Sequence, residues 1–386
     1  MVNEGAGWCI DTRRYLHMHP ELSFREFETT RYIKKQLEEI GITDISPVGD
    51  TGLVCSVQGE RQGKTIMLRA DIDALPIHEE SSAVYRSRND NTMHACGHDA
   101  HTAMMLLAAR TLNAMREDLR GTVSILFQPA EETIPGGALG VIEHGFVDRY
   151  KPSAIIGQHV MPGLACGKIG IRPGKFMASS DEFFITVRGK GGHAAMPEHL
   201  VDPVVIAGHV IVALQQVVSR KSNPRIPSVL SVGKVIAPGA TNVIPDEVVL
   251  EGTFRTMDEE WRAVALKEIE NLVHELTVAM GGTCKIQIKH GYPHLKNDES
   301  LTERARKAIA DYVGQENVED EDIWMAAEDF AYYGKHAPAL FYLLGSGSIS
   351  KGITSGLHTS GFDIDEECLP VGAGLMTWLA VRELEG

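Results

Sequence analysis

The sequence lacks the features that mark secreted, membrane-spanning and nucleic-acid-binding proteins. Its first residues do not combine a cationic start with an apolar segment, and no uninterrupted apolar run reaches about 18 residues. Aspartate and glutamate (52) outnumber lysine and arginine (37), and the basic residues form no stripe. The net charge of −15 therefore argues against nucleic acids and anionic membranes as partners. We expect a soluble, cytoplasmic protein.

Cysteines are few, and the sequence contains no internal repeat and no low-complexity segment. Six cysteines are spread widely over 386 residues, and none belongs to a Cys-x-x-Cys pair. This pattern favours a reducing compartment and gives no indication of a disulfide. With 43% hydrophobic residues, the chain can bury a large core but is long for a single one. We therefore expect two domains.

Residues 93–101 concentrate metal-ligand chemistry, with one thiol, one carboxylate and three imidazoles in nine positions. The apolar run that follows, residues 102–109, predicts a buried helix with Asp99 as its N-cap. Cys96 and His98 would then lie in the preceding loop, where a helix N-terminus favours a thiolate. A thiolate beside a neutral histidine suits a metal ion. A buried free cysteine among helix-capping residues is the alternative interpretation.

Three other segments combine an apolar strand with polar residues at its end. They are residues 65–73 with Asp71 and Asp73, residues 122–132 with Glu131 and Glu132, and residues 153–160 with His159. Open α/β sheets place their sites at the carboxyl ends of strands, so we expect these side chains to converge. Adjacent glutamates point in different directions, so one could bind metal while the other handles protons. A solvated Glu-Glu turn and a core histidine are the alternatives.

Residues 178–290 follow a different pattern, which we predict to be an inserted domain between the catalytic segments 1–177 and 291–386. Periodicity and turn residues give the order β-α-β-β-α-β, the ferredoxin-like signature. The predicted elements are strand 182–188, helix 203–218, strands 228–235 and 247–255, helix 258–280 and strand 283–289. Residues 189–193 resemble a phosphate loop only superficially, because no suitable helix follows the glycines.

Five candidate ligands are expected at one edge of the first sheet, where a strand at residues 341–347 leads into the loop that carries the last of them. They are Cys96, His98, Glu132, His159 and His358. Five donors are too many for one tetrahedral site, and they suit two cations about 3.5–4 Å apart that share a bridging ligand. Such ions polarise a carbonyl and lower the pKa of a shared water. Glu131 is the nearest candidate to accept its proton.

The chain resembles the aminoacylase/carboxypeptidase-type di-metal amidohydrolases, which include hippurate hydrolases, N-acyl-amino-acid deacylases and plant auxin-conjugate hydrolases. The resemblance runs nearly from end to end. Its motifs are RYLHMHPE (14–21), RADIDALP (69–76), HACGHDAH (94–101), FQPAEE (127–132), GKGGHAAMP (189–197), TNVIP (241–245), EGTFRT (251–256), AEDF (327–330) and LHT (357–359). It implies an α/β fold, a mixed-sheet di-metal peptidase domain with an inserted ferredoxin-like lid.

The resemblance also implies roles for particular residues. The metal ligands would be the five residues named above, with Cys96 in the bridging position, and the metals could be Zn, Mn, Ni or Co. Glu131 would be the general base, and Asp73 would belong to the same catalytic group. In the lid, His193 would hold the scissile carbonyl oxygen, and Asn242 and Arg255 would bind substrate. Dimeric relatives supply the histidine and asparagine from the partner subunit, so we expect a homodimer formed through the lid.

The implied reaction is hydrolysis of the amide bond of an N-acyl-L-amino acid by a metal-activated water. A dipeptidase or carboxypeptidase using the same chemistry on a short peptide is the nearest alternative. A catalytically silent metal-binding protein is a third, and the intact base and full ligand set argue against it.

Overall fold

The computed structural model describes residues 1–386, which form nine α-helices and sixteen strands. The helices are α1 Ala6–Met18, α2 Phe27–Glu39, α3 His98–Ala114, α4 Gly137–Glu143, α5 Phe146–Tyr150, α6 Pro203–Gln216, α7 Glu259–Ala279, α8 Glu299–Val313 and α9 Cys368–Glu385. The strands are β1 Ile45–Val48, β2 Gly52–Gln58, β3 Arg61–Asp71, β4 Arg120–Gln128, β5 Ala154–Ala165, β6 Ile169–Ile171, β7 Gly174–Met177, β8 Asp181–Arg188, β9 Gly192–His193, β10 Ser228–Ile236, β11 Val243–Ile244, β12 Glu247–Thr256, β13 Thr283–His290, β14 Leu295–Asn297, β15 Val318–Asp320 and β16 Ala339–Gly347.

The chain divides into two compact units. The first comprises Met1–Phe176, Lys296–Asp322 and Asp329–Gly386. The second comprises Met177–Leu295 together with the short segment Ile323–Glu328.

An eight-stranded mixed sheet forms the centre of the first unit, in the order β1-β2-β4-β3-β5-β16-β6-β15. β3 runs parallel to β4 and to β5, and β5 runs parallel to β16. All nine residues of β16 are buried, as are the last six of β3 and of β4, which is typical of parallel strands covered on both faces. The carboxyl ends of β3, β4 and β5 therefore meet at one edge of the sheet.

The predicted buried helix is part of α3, which packs against α1, α2 and α9. Its residues from His98 to Ala109 are all buried. This part of the helix is therefore enclosed on every side and has no polar face toward solvent. α9 is similarly enclosed, and both helices contribute to the main hydrophobic core.

The prediction that Asp99 caps α3 is wrong. The helix begins at His98, and its N-cap is Gly97, whose φ of 83° is left-handed. A Cβ on Gly97 would lie 2.4 Å from Val160 Cγ2, so both the backbone conformation and the close packing require glycine. Asp99 instead lies in the first turn, where its carboxylate pairs with Arg13 Nε at 2.8 Å and His17 Nδ1 at 2.8 Å. This ion pairing, set by a distant helix, replaces the capping role.

The second unit has the order β8-α6-β10-β12-α7-β13, with each element within a few residues of its predicted position. Its antiparallel sheet has the strand order β10-β12-β8-β13. The apolar sides of α6 and α7, including Ile206, Val210 and Ile269, pack with Val187 and Leu250 of the sheet into a separate core. Burial of alternate strand residues and of one stripe of each helix produces this two-layer arrangement.

One helical segment, Pro203–Lys221, is long and apolar enough to cross a membrane by length and composition, and 33% of its most apolar window is buried. It consists of α6 and a π-helical turn, Val217–Lys221. Its buried residues belong to the core of the second unit, which accounts for part of its apolar composition. The segment is therefore weak evidence for a membrane span.

Glu259, at the start of α7, provides a pH-dependent contribution to stability. Burial opposes its ionisation, but hydrogen bonds from His294 and the Arg262 guanidinium lower its pKa from 4.5 to about 2. Because the pKa is depressed in the folded protein, this stabilisation is present above pH 4.5 and is lost as the pH falls toward about 2.

We expect Glu259→Gln to lower the free energy of unfolding by about 1 kcal/mol at pH 7, a discounted value because the group is partly exposed. Urea unfolding of both proteins between pH 7 and pH 3 measures this difference, which should shrink as the pH falls below 4.5. A difference that stays constant over this range would contradict the assignment.

Candidate metal centre

The structure brings the five predicted ligands together in the first unit. Cys96 directly precedes the N-cap of α3, His98 begins α3, Glu132 follows β4, His159 lies in β5, and His358 lies between β16 and α9. Cys96 Sγ lies 3.3 Å from His159 Nε2 and 3.3 Å from His358 Nε2. Glu132 Oε1 lies 3.3 Å from His358 Nε2 and 3.9 Å from His98 Nε2. The result is a connected cluster of sulfur, nitrogen and oxygen donors.

Two non-glycine residues with left-handed backbone conformations help to position the cluster: one precedes the two glutamates, and the other is a member of the cluster. Ala130 has a φ of 55° immediately before Glu131 and Glu132, and its N–H donates to Glu26 Oε1 at 2.8 Å. His358 has a φ of 59°, and its N–H donates to the Ala95 carbonyl at 2.8 Å. Such conformations are costly for residues with a Cβ and are concentrated at functional sites.

Asp73 organises the side of the cluster that carries the two glutamates. Its carboxylate accepts the backbone N–H groups of Glu131 at 3.1 Å and Glu132 at 3.0 Å, and the hydroxyl of Ser23 at 2.7 Å. His98 Nδ1 lies 3.3 Å from the same carboxylate. Burial opposes ionisation of Asp73, but these hydrogen bonds lower its pKa below the ordinary value. Asp73 thus contacts His98 and the backbone of both glutamates at once.

The hydrogen bonds of His98 and His159 leave one ring nitrogen of each directed at the cluster. Asp73 engages His98 Nδ1, and the Val160 carbonyl lies 2.7 Å from His159 Nδ1. If each Nδ1 carries the proton, each Nε2 has a lone pair available for a cation. Metal-binding histidines are usually held in this way by an outer hydrogen bond.

The chemistry of the cluster fits divalent cations. His98 Nε2 and Glu132 Oε1 are buried polar atoms that make no hydrogen bond, although charged and polar groups surround them. Leaving such buried atoms without a hydrogen bond costs free energy, which a cation would offset. The donor types are those that Zn, Ni, Co and Mn accept.

The local prediction for the Cys96 thiol is wrong in one respect. Burial first, and then the carboxylates of Glu132, Glu131 and Asp71, raise the pKa of Cys96 well above its ordinary value. Burial and these carboxylates therefore outweigh any stabilisation of the thiolate by the helix N-terminus. A bound cation would favour the thiolate, because it brings a positive charge into direct contact with the sulfur.

Glu131 is 7% exposed, and its carboxylate belongs to a group in which the ligand atoms of His98, Glu131 and Glu132 all lie within 4.8 Å of one another. The two glutamates thus reach the same cluster from consecutive positions. A carboxylate at this distance can exchange a proton with a water held among the donors.

The two N-terminal histidines, His17 and His19, lie outside the cluster and have other partners. His17 is buried between Asp99 and Glu79, with His17 Nε2 3.3 Å from Glu79 Oε1. His19 Nδ1 lies 2.7 Å from the Tyr15 carbonyl, one turn earlier in α1. These contacts account for the first motif of the resemblance without any role for it in metal binding.

The predicted lid residues all belong to the second unit. His193 is the last residue of β9, which pairs with β11, and Ala194 N–H donates to the Asn242 carbonyl at 3.0 Å. His193 and Asn242 are exposed within that unit and come from adjacent segments. Arg255 is near the end of β12, opposite Val229 of β10, and burial lowers its pKa.

Sequence reasoning did not predict three sets of buried contacts around the cluster, which are made by Glu26, by Asp71 with His101, and by Asp329. Glu26 holds the Ala130 turn, and burial followed by repulsion from Asp73 raises its pKa to about 7. Asp329 accepts hydrogen bonds from Gln128 Nε2 and from the Ala138 N–H at 2.9 Å. No local signal identifies these contacts, because their partners are far away along the chain.

A mixed sheet covered by helices, with sulfur, nitrogen and oxygen donors near the carboxyl ends of its parallel strands, is typical of metal-dependent hydrolases. Residues 67–382 match peptidase family M20/M25/M40, and the chain belongs to this family.

Three relatives illustrate the family. N-acetyl-L-cysteine deacetylase of Bacillus subtilis (strain 168) is 42% identical over 93% of this chain and 84% of its own length. N-acyl-L-amino acid amidohydrolase of Geobacillus stearothermophilus is 41% identical over 78% of this chain and 80% of its own. The crystal structure of the YXEP protein of Bacillus subtilis, described as a dinuclear metal-binding peptidase of the M20 family, superposes with a TM-score of 0.84 at 37% identity over 99% of both chains.

Proposed function

We propose that the protein hydrolyses the amide bond of N-acyl-L-amino acids with the help of two divalent metal ions. The observation that carries the proposal is the pair of buried atoms without hydrogen bonds, His98 Nε2 and Glu132 Oε1, within a cluster of five potential ligands. The substrate class is suggested by the relatives, which act as an N-acetyl-L-cysteine deacetylase and an N-acyl-L-amino acid amidohydrolase.

In this proposal Cys96, His98, Glu132, His159 and His358 hold the metal ions. Bound cations would polarise the scissile carbonyl and lower the pKa of a water molecule. Glu131 accepts the proton of that water and then delivers it to the leaving amine nitrogen. Asp73 keeps His98 and the backbone of both glutamates in position.

We further propose that residues 178–290 form a lid and that this lid also forms the interface of a homodimer. We also propose that the enzyme is cytoplasmic. β10 is an edge strand, and it exposes Val229, Val235 and Ile236. α6 exposes Val212, which is 72% accessible. An exposed apolar edge strand is a surface that pairing with a second chain would cover. The dimer proposal follows from this surface and from the family resemblance.

The function is tested by metal analysis of protein purified without chelator, followed by assays of the metal-free protein with each ion added back. The substrates are acetyl-, benzoyl- and aminoacyl-derivatives of the same amino acids. We expect acetyl or benzoyl derivatives to be hydrolysed faster than dipeptides. Faster cleavage of the aminoacyl derivatives would identify a dipeptidase instead, and no hydrolysis with any metal would identify a silent homologue.

We expect His193→Ala and Arg255→Ala to affect different kinetic constants. His193 would donate to the oxygen on which negative charge develops, so its loss should lower kcat by about 10²–10³-fold. Arg255 would bind the substrate carboxylate before and during the reaction, so its loss should mainly raise KM. Steady-state kinetics of both variants check these expectations, with one substrate that has a free α-carboxylate and one in which this group is an amide. The amide substrate should already bind more weakly to the parent enzyme.

Subunit mixing decides whether His193 acts across the dimer. Mixing inactive Glu131→Gln and His193→Ala proteins under conditions of subunit exchange should restore some activity. If exchange is demonstrated and no activity returns, His193 serves the site of its own subunit.

A further inference from the structure

A buried row of hydrogen bonds connects the backbone beside His159 with charged side chains of the first unit. Val160 N–H donates to His101 Nε2 at 2.9 Å. His101 Nδ1 lies 2.5 Å from Asp71 Oδ1, and Arg69 donates to Asp71 Oδ2 at 2.5 Å and to Asp329 Oδ1 at 2.7 Å. Arg69, Asp71, His101 and Asp329 are each at most 1% exposed, so this row is shielded from water.

These contacts determine which nitrogen of His101 carries its proton. Nε2 accepts from a backbone N–H and so presents a lone pair. The proton is then on Nδ1, which donates to the Asp71 carboxylate. Asp71, His98 and His101 form a group of atoms within 4.8 Å that could suggest another metal site. Both nitrogens of His101 are already engaged, so His101 has no lone pair to offer a cation.

The same row reaches His159 through Val160. The N–H of Val160 is held by His101, and its carbonyl lies 2.7 Å from His159 Nδ1. His159 Nδ1 therefore donates to Val160, and Nε2 faces Cys96 Sγ at 3.3 Å. The two imidazoles also meet edge to face, with ring centroids 4.7 Å apart. Fixing the Val160 backbone thus fixes both the proton position and the ring direction of His159.

We infer that His101 is a positioning residue that, oriented by Asp71, holds His159 in the tautomer that turns Nε2 to the metal centre. This inference rests on the proposed function, because it assumes that His159 binds a metal ion. It assigns no catalytic step to His101. Losing an outer partner of a ligating histidine typically weakens metal binding by roughly 10–100-fold, which sets the expected size of the effect.

Three substitutions separate the two hydrogen bonds of His101. His101→Leu removes both hydrogen bonds and introduces an apolar side chain of similar size. A Gln amide lies near the position of Nε2 and can still accept from Val160, whereas an Asn amide lies near Nδ1 and can still donate to Asp71. Thr111→Val is the matched control, because Thr111 is buried on the same helix and bonds only to the Leu107 carbonyl.

Two measurements test the inference, both independent of turnover. The first is the imidazole nitrogen spectrum of metal-free protein labelled with [15N]histidine, with the His159 signals assigned by their loss in His159→Ala. We expect a single Nδ1–H tautomer of His159 in the parent, His101→Gln and Thr111→Val, and mixed tautomers in His101→Leu and His101→Asn. The second is competition between each protein and a chelator for Co²⁺ and Zn²⁺.

In the competition, we expect His101→Leu and His101→Asn to bind one metal equivalent roughly 10–100-fold more weakly, while His101→Gln stays close to the parent. The thiolate-to-cobalt charge-transfer band should change in the same two variants. Equal metal affinity in the parent and His101→Leu, or better binding by Asn than by Gln, would overturn the inference. If His159→Ala itself keeps full metal affinity, the ligand assignment fails, whereas the nitrogen spectra still report on His101.

Discussion

Glu131→Gln is expected to fold normally and to keep its metal ions, yet to lose about 10²–10⁴-fold in kcat. Glutamine preserves the shape of the side chain and cannot accept a proton at neutral pH. The backbone N–H of residue 131 would still donate to Asp73, so the turn after β4 should be unchanged. The expected loss is thus confined to proton transfer.

The measurement is steady-state turnover together with the metal content of the same sample. Glu143→Gln is a suitable control, because Glu143 is an exposed glutamate at the end of α4 in the same unit. Its kinetic constants should match those of the parent. Should Glu131→Gln lose metal but keep its activity per bound metal, the roles of Glu131 and Glu132 are exchanged.

Cys96→Ser is expected to weaken both metal sites together. Cys96 is the member shared by two potential ligand groups, one with His98 and His159 and the other with Glu132 and His358. A neutral hydroxyl is a poor substitute for a thiolate, and burial makes its ionisation unfavourable. The loss of affinity should therefore exceed the roughly 10–100-fold typical of an outer hydrogen-bond partner.

Chelator titration with metal analysis at each step tests this result. Cys284→Ser, in β13 of the second unit, should retain the titration curve of the parent. If Cys96→Ser releases one ion and keeps the other at full affinity, Cys96 does not bridge the two sites.

The sequence alone predicted much of the candidate site, for a physical reason. Ligand-type residues at the ends of apolar strands are expected to converge, because parallel strands bring their carboxyl ends to one edge of a sheet. His159, Glu131 and Glu132 follow this rule, and Cys96 and His98 lie next to them at the start of α3. The strands and helices between residues 181 and 290 lie close to their predicted positions, since they have clear periodicity and are separated by turn residues. The catalytic and substrate-binding roles of residues in this range remain predictions.

The order of the strands in the large sheet was not predictable from local patterns. β4 lies between β2 and β3, so neighbours in the sheet are not neighbours along the chain. Pairings between distant segments depend on which faces the whole core leaves available, and periodicity within one segment contains no such information.

Tertiary structure alone decided how the donors are held. Gly97 caps α3 because Val160 packs against it, and Asp99 is drawn to Arg13 and His17 of α1. The roles of Asp71 and His101 likewise depend on partners from other elements, and the left-handed Ala130 depends on Glu26. The residue types that could bind a metal occur in the sequence as local motifs. Their proton positions and directions are set by hydrogen bonds across the core, which exist only after the chain has folded.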